Sequence, residues 1–194
     1  MISLVLGLGN IGKKYAGTRH NVGFDVVTCV ADKLGAQMQP RRSEYDWAVA
    51  DAPERKVALA WPRTYMNLSG EAASLLVADL EIQPSQMLVV VDDFNLPLGA
   101  IRVRPKGSDG GHNGLISLIE ELGTSDFPRV RLGIGPLPQD EEVIDFVLGK
   151  FTSAERKRTD EMIAMAADAV LFALDHRLDE TMSKFNSNPA LPES

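Results

Sequence analysis

With 194 residues, 44% of them apolar, the chain is long enough for one domain with its own core and needs neither disulfide nor metal to fold. A single cysteine, Cys29, excludes an internal disulfide, and no apolar run is long enough for a membrane span or a signal peptide, so the expected location is cytoplasmic. The formal net charge of −7 argues against a broad, non-specific grip on nucleic acid but leaves room for a local basic patch.

Ile2–Leu6 is apolar at nearly every position, as a strand covered on both faces should be. A polar, glycine-rich stretch follows, Gly7 to Asn21. Helical spacing of Phe24, Val27, Val30 and Leu34 then predicts a helix over 22–34, with Asn21 as N-cap and Gly35 as stop. Met38–Ser43 reads as a loop. Trp47–Ala50 and Val57–Trp61 read as a hairpin with a polar turn at Asp51–Lys56. Residues 62–70 form a second strand-to-helix junction before a helix over 72–80. Met87–Val91 is the clearest strand and ends in Asp92-Asp93. Ile101–Arg104 alternates apolar and basic residues. Lys106–Gly114 is a loop with four glycines, and a helix near 115–122 and a strand over 130–134 follow. Thr152-x-x-Glu155 is a capping box opening a long C-terminal helix, with Met162, Met165, Ala169 and Phe172 on one face. The last stretch, 186–194, holds two prolines and is expected to be disordered. Strands and helices alternate. The expected fold is a single α/β domain of three layers, α/β/α, around a twisted, mixed, mostly parallel sheet.

The residues able to carry chemistry stand at predicted strand ends: Asn10 and His20 after the first strand, Asn67 after the hairpin, Asp92 and Asp93 after the strongest strand, and His112 with Asn113 in the glycine loop. Open α/β sheets gather such ends at one edge. A histidine is the natural proton acceptor near neutral pH, and a carboxylate on its second nitrogen fixes its tautomer, so His20 with one aspartate of the pair is the expected acid–base unit. Asparagines donate and accept without charge, which suits a site for peptide groups. Arg102, Arg104, Lys106 and Arg131 form the densest basic set, suited to a phosphate backbone. No Gly-x-Ser-x-Gly elbow and no metal-ligand spacing is present, which leaves direct attack by water. Gly7-x-Gly9-x-x-Gly12 fits a dinucleotide fingerprint, and Gly7–Lys13 nearly fits a P-loop. Both need a helix starting at the last glycine, and the polar insert Lys13–His20 separates them from one.

Six motifs in register resemble those of the bacterial peptidyl-tRNA hydrolases. They are Gly7-x-Gly-Asn10-x-Gly12-x-x-Tyr15-x-x-Thr18-Arg19-His20-Asn21-x-Gly23, Tyr65-Met-Asn67-Leu-Ser-Gly70, Asp92-Asp-x-x-Leu96-Pro97-x-Gly99, Gly107-x-x-Gly110-Gly-His112-Asn113-Gly114, Arg131-x-Gly133-Ile-Gly135 and Val147-Leu-Gly-Lys-Phe151. The resemblance implies a catalytic domain over 1–185 that cleaves the ester between a peptide and the terminal ribose of tRNA. It implies His20 as general base, Asp92 as the carboxylate orienting it, and Asn10 as the group sensing a blocked amino end. Tyr15, Tyr65, Asn67 and Asn113 fall at substrate positions, and Arg102 and Arg131 at tRNA-contacting positions. The resemblance further implies a protein that, as is usual in the family, is a monomer, needs no metal or organic cofactor, and acts on peptidyl-tRNA and not on membranes. Two rivals are a P-loop-type nucleotide-binding protein and a non-catalytic RNA-binding relative of the same fold. Ile11 stands where the family commonly has proline, Asn95 where an acid is frequent, and Arg102 where lysine is common.

Overall fold

The computed structural model describes residues 1–52 and 55–186. Seven strands, β1 (Leu4–Gly7), β2 (Gln37–Met38), β3 (Tyr45–Ala52), β4 (Arg55–Pro62), β5 (Met87–Pro97), β6 (Ile101–Arg104) and β7 (Arg129–Gly135), form one sheet in the order β2-β3-β4-β1-β5-β7-β6. The inner four, β4-β1-β5-β7, are parallel, while β3 joins β4, β2 joins β3, and β6 joins β7 antiparallel. The expected mixed sheet is therefore present, with a parallel centre and antiparallel margins.

The inner strands are apolar on both sides because both sides are covered. Val5, Val90 and Val130 meet Val26 and Val30 of α1 (Val22–Leu34) and Met162, Ala166 and Val170 of α5 (Ser153–Asp175). Leu4, Leu6, Val89 and Val91 meet Ala72 and Leu76 of α2 (Ser69–Asp79) and Leu115 and Leu118 of α3 (Asn113–Leu122). The period of two along each strand assigns alternate residues to the two cores. Gly35 ends α1 with φ 60°, as expected, and the Thr152–Glu155 capping box opens α5.

Several boundaries differ from expectation. The hairpin strands are longer, with Ala48 opposite Leu59; of the expected turn Asp51–Lys56, residues 51–52 and 55–56 belong to the strands, and 53–54 lie outside the described residues. Met38, expected in a loop, pairs with Ala48 as part of a two-residue edge strand too short to leave a periodic signal. The long C-terminal helix stops at Asp175 and α6 (Leu178–Phe185) follows; α4 (Val143–Leu148) carries no clear sequence signal. On α5, Met162 and Ala169 are buried, but Met165 and Phe172 are half-buried, and Ala166, Val170 and Ala173 complete the inner face. Asn186, expected in a disordered tail, clasps the edge strand: its Oδ1 accepts from Val103 N at 2.7 Å and its Nδ2 donates to Val103 O at 3.0 Å. The rest of the expected tail, 187–194, lies outside the described residues. Among the described residues no helix is long and apolar enough to cross a membrane.

Gly70 marks the tightest helix contact. A Cβ there would stand 2.2 Å from Ser117 O and 2.7 Å from Glu121 Cγ, and Gly70 N donates to Ser117 Oγ at 2.9 Å. Gly70→Ala is expected to cost about 1–3 kcal/mol by forcing α2 from α3. Chemical denaturation against Glu71→Ala, an exposed neighbour, checks this; equal stability of the two variants would contradict the close approach.

Candidate active site

Helices α1 and α2 follow the adjacent strands β1 and β4 onto opposite faces of the sheet, which opens a crevice at their C-terminal ends. The candidate residues gather there. After β1 the chain makes two 3-10 turns, Lys13–Tyr15 and Arg19–Asn21, and α1 begins only at Val22. The first turn of α1 packs against Gly7, where a Cβ would stand 2.5 Å from Gly23 O, but the helix does not start at Gly12, so the phosphate-loop readings lack the helix start they require.

The turn bearing His20 is held from far along the chain. Arg19 N donates to Gly149 O at 2.9 Å, and Arg19 Nη1 to Lys150 O at 2.7 Å. Its Nη2 contacts both oxygens of Glu155, at 3.0 and 2.9 Å, and its guanidinium lies 4.7 Å and 5.1 Å from the ring centres of Phe146 and Phe151. The Val147–Phe151 motif thus clamps the turn presenting His20, and Glu155 both caps α5 and holds Arg19.

His20 Nδ1 lies 2.9 and 3.1 Å from the two oxygens of Asp92, which is 2% exposed and stands within β5 rather than at its end. His112 Nε2 lies 2.9 Å from the same Oδ1. Burial opposes ionisation of Asp92. The two imidazoles facing it outweigh that and hold its carboxyl well below the ordinary carboxylate range. Successive strand residues point to opposite faces, so Asp93 turns away. It accepts from Asn95 N at 2.9 Å and pairs with Arg131 at 3.0 Å. The choice between the two aspartates thereby falls on Asp92. Past Asp93 the β5–β7 register shifts. Phe94 O and Pro97 O come so close to Gly135 and Gly133 that a Cβ would stand 2.0 and 2.1 Å away, which explains the Gly133-Ile-Gly135 motif.

Asn10 Oδ1 accepts from Met66 N at 2.8 Å, joining the first glycine turn to the 66–68 turn. Because a backbone N–H needs an acceptor, this bond fixes the amide's orientation and leaves Nδ2 as the group to meet a ligand. Asn21, expected as an N-cap, makes no capping bond. Its Oδ1 accepts from Asn10 N at 2.8 Å and its Nδ2 donates to Asn10 O at 2.9 Å. Asn67 and Asn113 are exposed on either side of a packed joint, where Met66 Sδ would lie 2.6 Å from a Cβ on Gly114. Tyr15 and Tyr65 meet edge to face, ring centres 6.4 Å apart, with Tyr65 53% exposed.

The basic set lies on the sheet margin. Arg102 stands opposite Arg131 and Arg104 opposite Arg129. Like charges directly opposite weaken a strand pair, so this alignment is a cost to folding. Arg131 is partly neutralised by Asp93. Arg129 is buried and donates to Ser108 O and Ser125 O, both at 3.0 Å, fastening the glycine loop. Burial and the neighbouring Arg131 pull its guanidinium down to about 10.

Ligand-type atoms of His20, Asp92 and His112 lie within 4.8 Å of one another. Both histidine nitrogens converge on one Asp92 oxygen, and His112 Nδ1 already accepts from Gly114 N at 3.1 Å and Leu115 N at 3.3 Å. The three form a hydrogen-bonded chain rather than a ligand set. A cavity of about 820 Å³ lies at the N-terminal end of the parallel strands beside Met1, Ser85 and Pro128, and no candidate residue lines it.

Sequence reasoning places Asn10, His20, Asn67, Asp92, Asp93, His112 and Asn113 at strand ends; His20 and His112 meet Asp92, Asn10 is joined to Asn21 beside His20 and to Met66 beside Asn67, and Asn113 follows His112. The sequence marks neither Arg19 nor Asn21 as a candidate, and the resemblance assigns His112 no role. The motifs held all three, but their partners are remote: Arg19 and Glu155 are 136 residues apart.

A buried histidine bonded to a buried carboxylate, at the crevice of an open α/β sheet, is the arrangement of an acid–base enzyme and is able to activate water. Ser69 has no base beside it; its Oγ faces Met66 Sδ at 4.0 Å, and Cys29 sits within α1. The profile of the family described as peptidyl-tRNA hydrolase matches residues 4–193, and the chain belongs to this family. A peptidyl-tRNA hydrolase of a Sulfurihydrogenibium species is 44% identical over 188 residues, covering 97% of this chain and 99% of that one. Another, from Clostridium botulinum, is 42% identical over 183 residues, covering 94% and 96%. The crystal structure of peptidyl-tRNA hydrolase from Acinetobacter baumannii, 34% identical, superposes with a TM-score of 0.91 over 97% of this chain and 96% of that one.

Proposed function

We propose that the chain hydrolyses the ester joining a peptide to the terminal ribose of tRNA, with His20 as general base and Asp92 as its orienting carboxylate. The contact that carries this reading is His20 Nδ1 to Asp92 at 2.9 Å, which leaves Nε2 as the basic nitrogen. His20 Nε2 takes a proton from water as the water oxygen bonds to the ester carbonyl carbon. The tetrahedral intermediate collapses, the bond to the ribose oxygen breaks, and the imidazolium returns its proton to that oxygen. Asn10 Nδ2 is a donor for a substrate carbonyl or for the oxyanion. With its oxygen engaged by Met66 N, Asn10 presents the donor Nδ2, which pairs with an acyl carbonyl and not with a free ammonium group. This supports preference for substrates whose amino end is acylated. Asn67 and Asn113 hold the peptide backbone, Tyr15 and Tyr65 flank it, and Arg102 and Arg131 meet tRNA phosphates. The reading is of a monomer acting in the cytoplasm, where translation supplies the substrate.

Release of tRNA from an N-acetylated aminoacyl-tRNA in EDTA tests the activity directly. Rapid cleavage supports it, and no cleavage by folded protein removes it. The tRNA contact has its own test. Arg102→Ala is expected to raise KM several-fold with kcat unchanged. It should also lower the slope of log KM against log salt concentration by about one phosphate's worth, 0.7–0.9. An unchanged salt slope would remove Arg102 from the interface.

A further inference from the structure

Resting on that reading of the site, we infer that His112 is a positioning residue. The start of α3 locks it as the Nε2–H tautomer, so that its one N–H is committed to Asp92, and Asp92 is thereby held for His20.

His112 precedes Asn113 as the N-cap of α3, with β-region backbone. Helix starts leave backbone N–H groups without partners, and caps are chosen from side chains that accept. Serine, threonine, aspartate and asparagine are usual there; here an imidazole does the capping. Nδ1 accepts from Gly114 N at 3.1 Å and Leu115 N at 3.3 Å. A nitrogen receiving two N–H groups carries no proton, so the proton of neutral His112 resides on Nε2. Nε2 lies 2.9 Å from Asp92 Oδ1. The glycines before it make this possible: Gly110 and Gly111, at φ 62° and 79°, turn the chain so that the side chain faces both the helix start and the carboxylate.

Two consequences follow for the site. First, His112 cannot serve as the base, because protonating Nδ1 would break the cap. Only His20 keeps a free basic nitrogen, although the two rings are 4.8 Å apart. Second, Asp92 Oδ1 shares its charge between two donors, and the second donor fixes the carboxylate's rotation. The groups facing Asp92 are His20, from the turn before α1, and His112, from the start of α3. The neighbouring charge of Asp93 is directed to Arg131.

The two bonds can be separated by substitution. In His112→Asn a short side chain retains an acceptor for the helix start but does not reach Asp92. In His112→Gln a longer amide reaches Asp92 with a donor and caps poorly. The expected result for His112→Asn is an unchanged Tm, kcat lower by about 10–100-fold with KM little altered, and an acid limb of the pH–rate profile moved to higher pH. The acid limb moves because Asp92 then gives its whole charge to the imidazolium of His20. His112→Gln is expected to recover most of kcat and the wild-type acid limb despite a lower Tm. Wild-type kcat and pH profile in His112→Asn would overturn the inference and leave only a cap. So would failure of folded His112→Gln to recover activity. A readout independent of turnover is the ¹⁵N spectrum of His112, expected to show Nδ1 unprotonated and Nε2 protonated across the range in which the fold persists. The opposite tautomer would overturn the inference even if the enzyme were fully active, and absence of wild-type activity with the expected tautomer would count against the substrate instead.

Discussion

His20→Ala is expected to lower kcat on an N-acetylated aminoacyl-tRNA by about 10²–10⁴-fold, with KM nearly unchanged. The imidazole is nearly buried and its Nδ1 is spent on Asp92, so its contribution is confined to the proton on the attacking water. Substrate grip is assigned to other groups: Asn10, Asn67, Asn113 and the basic margin. Loss confined to kcat is therefore the signature of a group acting only in the transition state. Ser69 and Cys29 are too poorly placed to substitute as nucleophiles. Single-turnover kinetics with excess enzyme would isolate the chemical step. Near-normal turnover would move the base elsewhere and sink the reading of the crevice. A matching rise in KM would turn His20 into a binding residue.

The second large effect is expected from Asp92→Asn, at about 10³–10⁴-fold in kcat, by analogy with the measured loss when the aspartate of a serine-protease triad becomes asparagine. The amide fills the same space, yet it carries a donor where the site has two donors already. His20 Nδ1–H and His112 Nε2–H both point at Oδ1. One amide oxygen can receive them only if the NH₂ faces neither. His112 cannot change tautomer without releasing Gly114 N and Leu115 N, so the mismatch falls on His20, whose proton moves to Nε2 and blocks the base. The fold should survive, because no charge is left unpaired and no volume is lost. The check is kcat together with Tm and the ¹⁵N tautomer of His20. Full activity, or loss of activity only through unfolding, would refute the orienting role of Asp92.

Much of this site was legible before any coordinates. Periodicity and glycine punctuation placed most strands and helices, and the strand-end rule singled out Asn10, His20, Asn67, Asp92, Asp93, His112 and Asn113 as residues that can converge. The order and spacing of six motifs pointed to the family. What each motif does was less legible. Val147–Phe151 reads as an apolar run with a glycine, but it anchors the Arg19 clamp. Gly133-Ile-Gly135 reads as a broken strand, but it makes room for the irregular return of β5. Arg129 lies outside the basic set read from the sequence and is buried as the fastening of the glycine loop.

The amino-acid sequence by itself determined the element types, the parallel centre of the sheet, the choice of histidine–aspartate chemistry over serine, cysteine or phosphate-loop chemistry, and the peptidyl-tRNA hydrolase kinship, because these rest on local periods, residue chemistry and spacing. Residue chemistry alone left open which of two adjacent aspartates meets His20, which of two histidines keeps a free basic nitrogen, and which end of the Asn10 amide faces a ligand; the resemblance implied Asp92 and His20, and only the tertiary structure supplies the physical reason. Each of those depends on a hydrogen-bond partner supplied from far along the chain, Asp92 to His20, Asp92 to His112 and Met66 to Asn10. A bond's direction is set by the partner's position in space, of which local sequence carries no record.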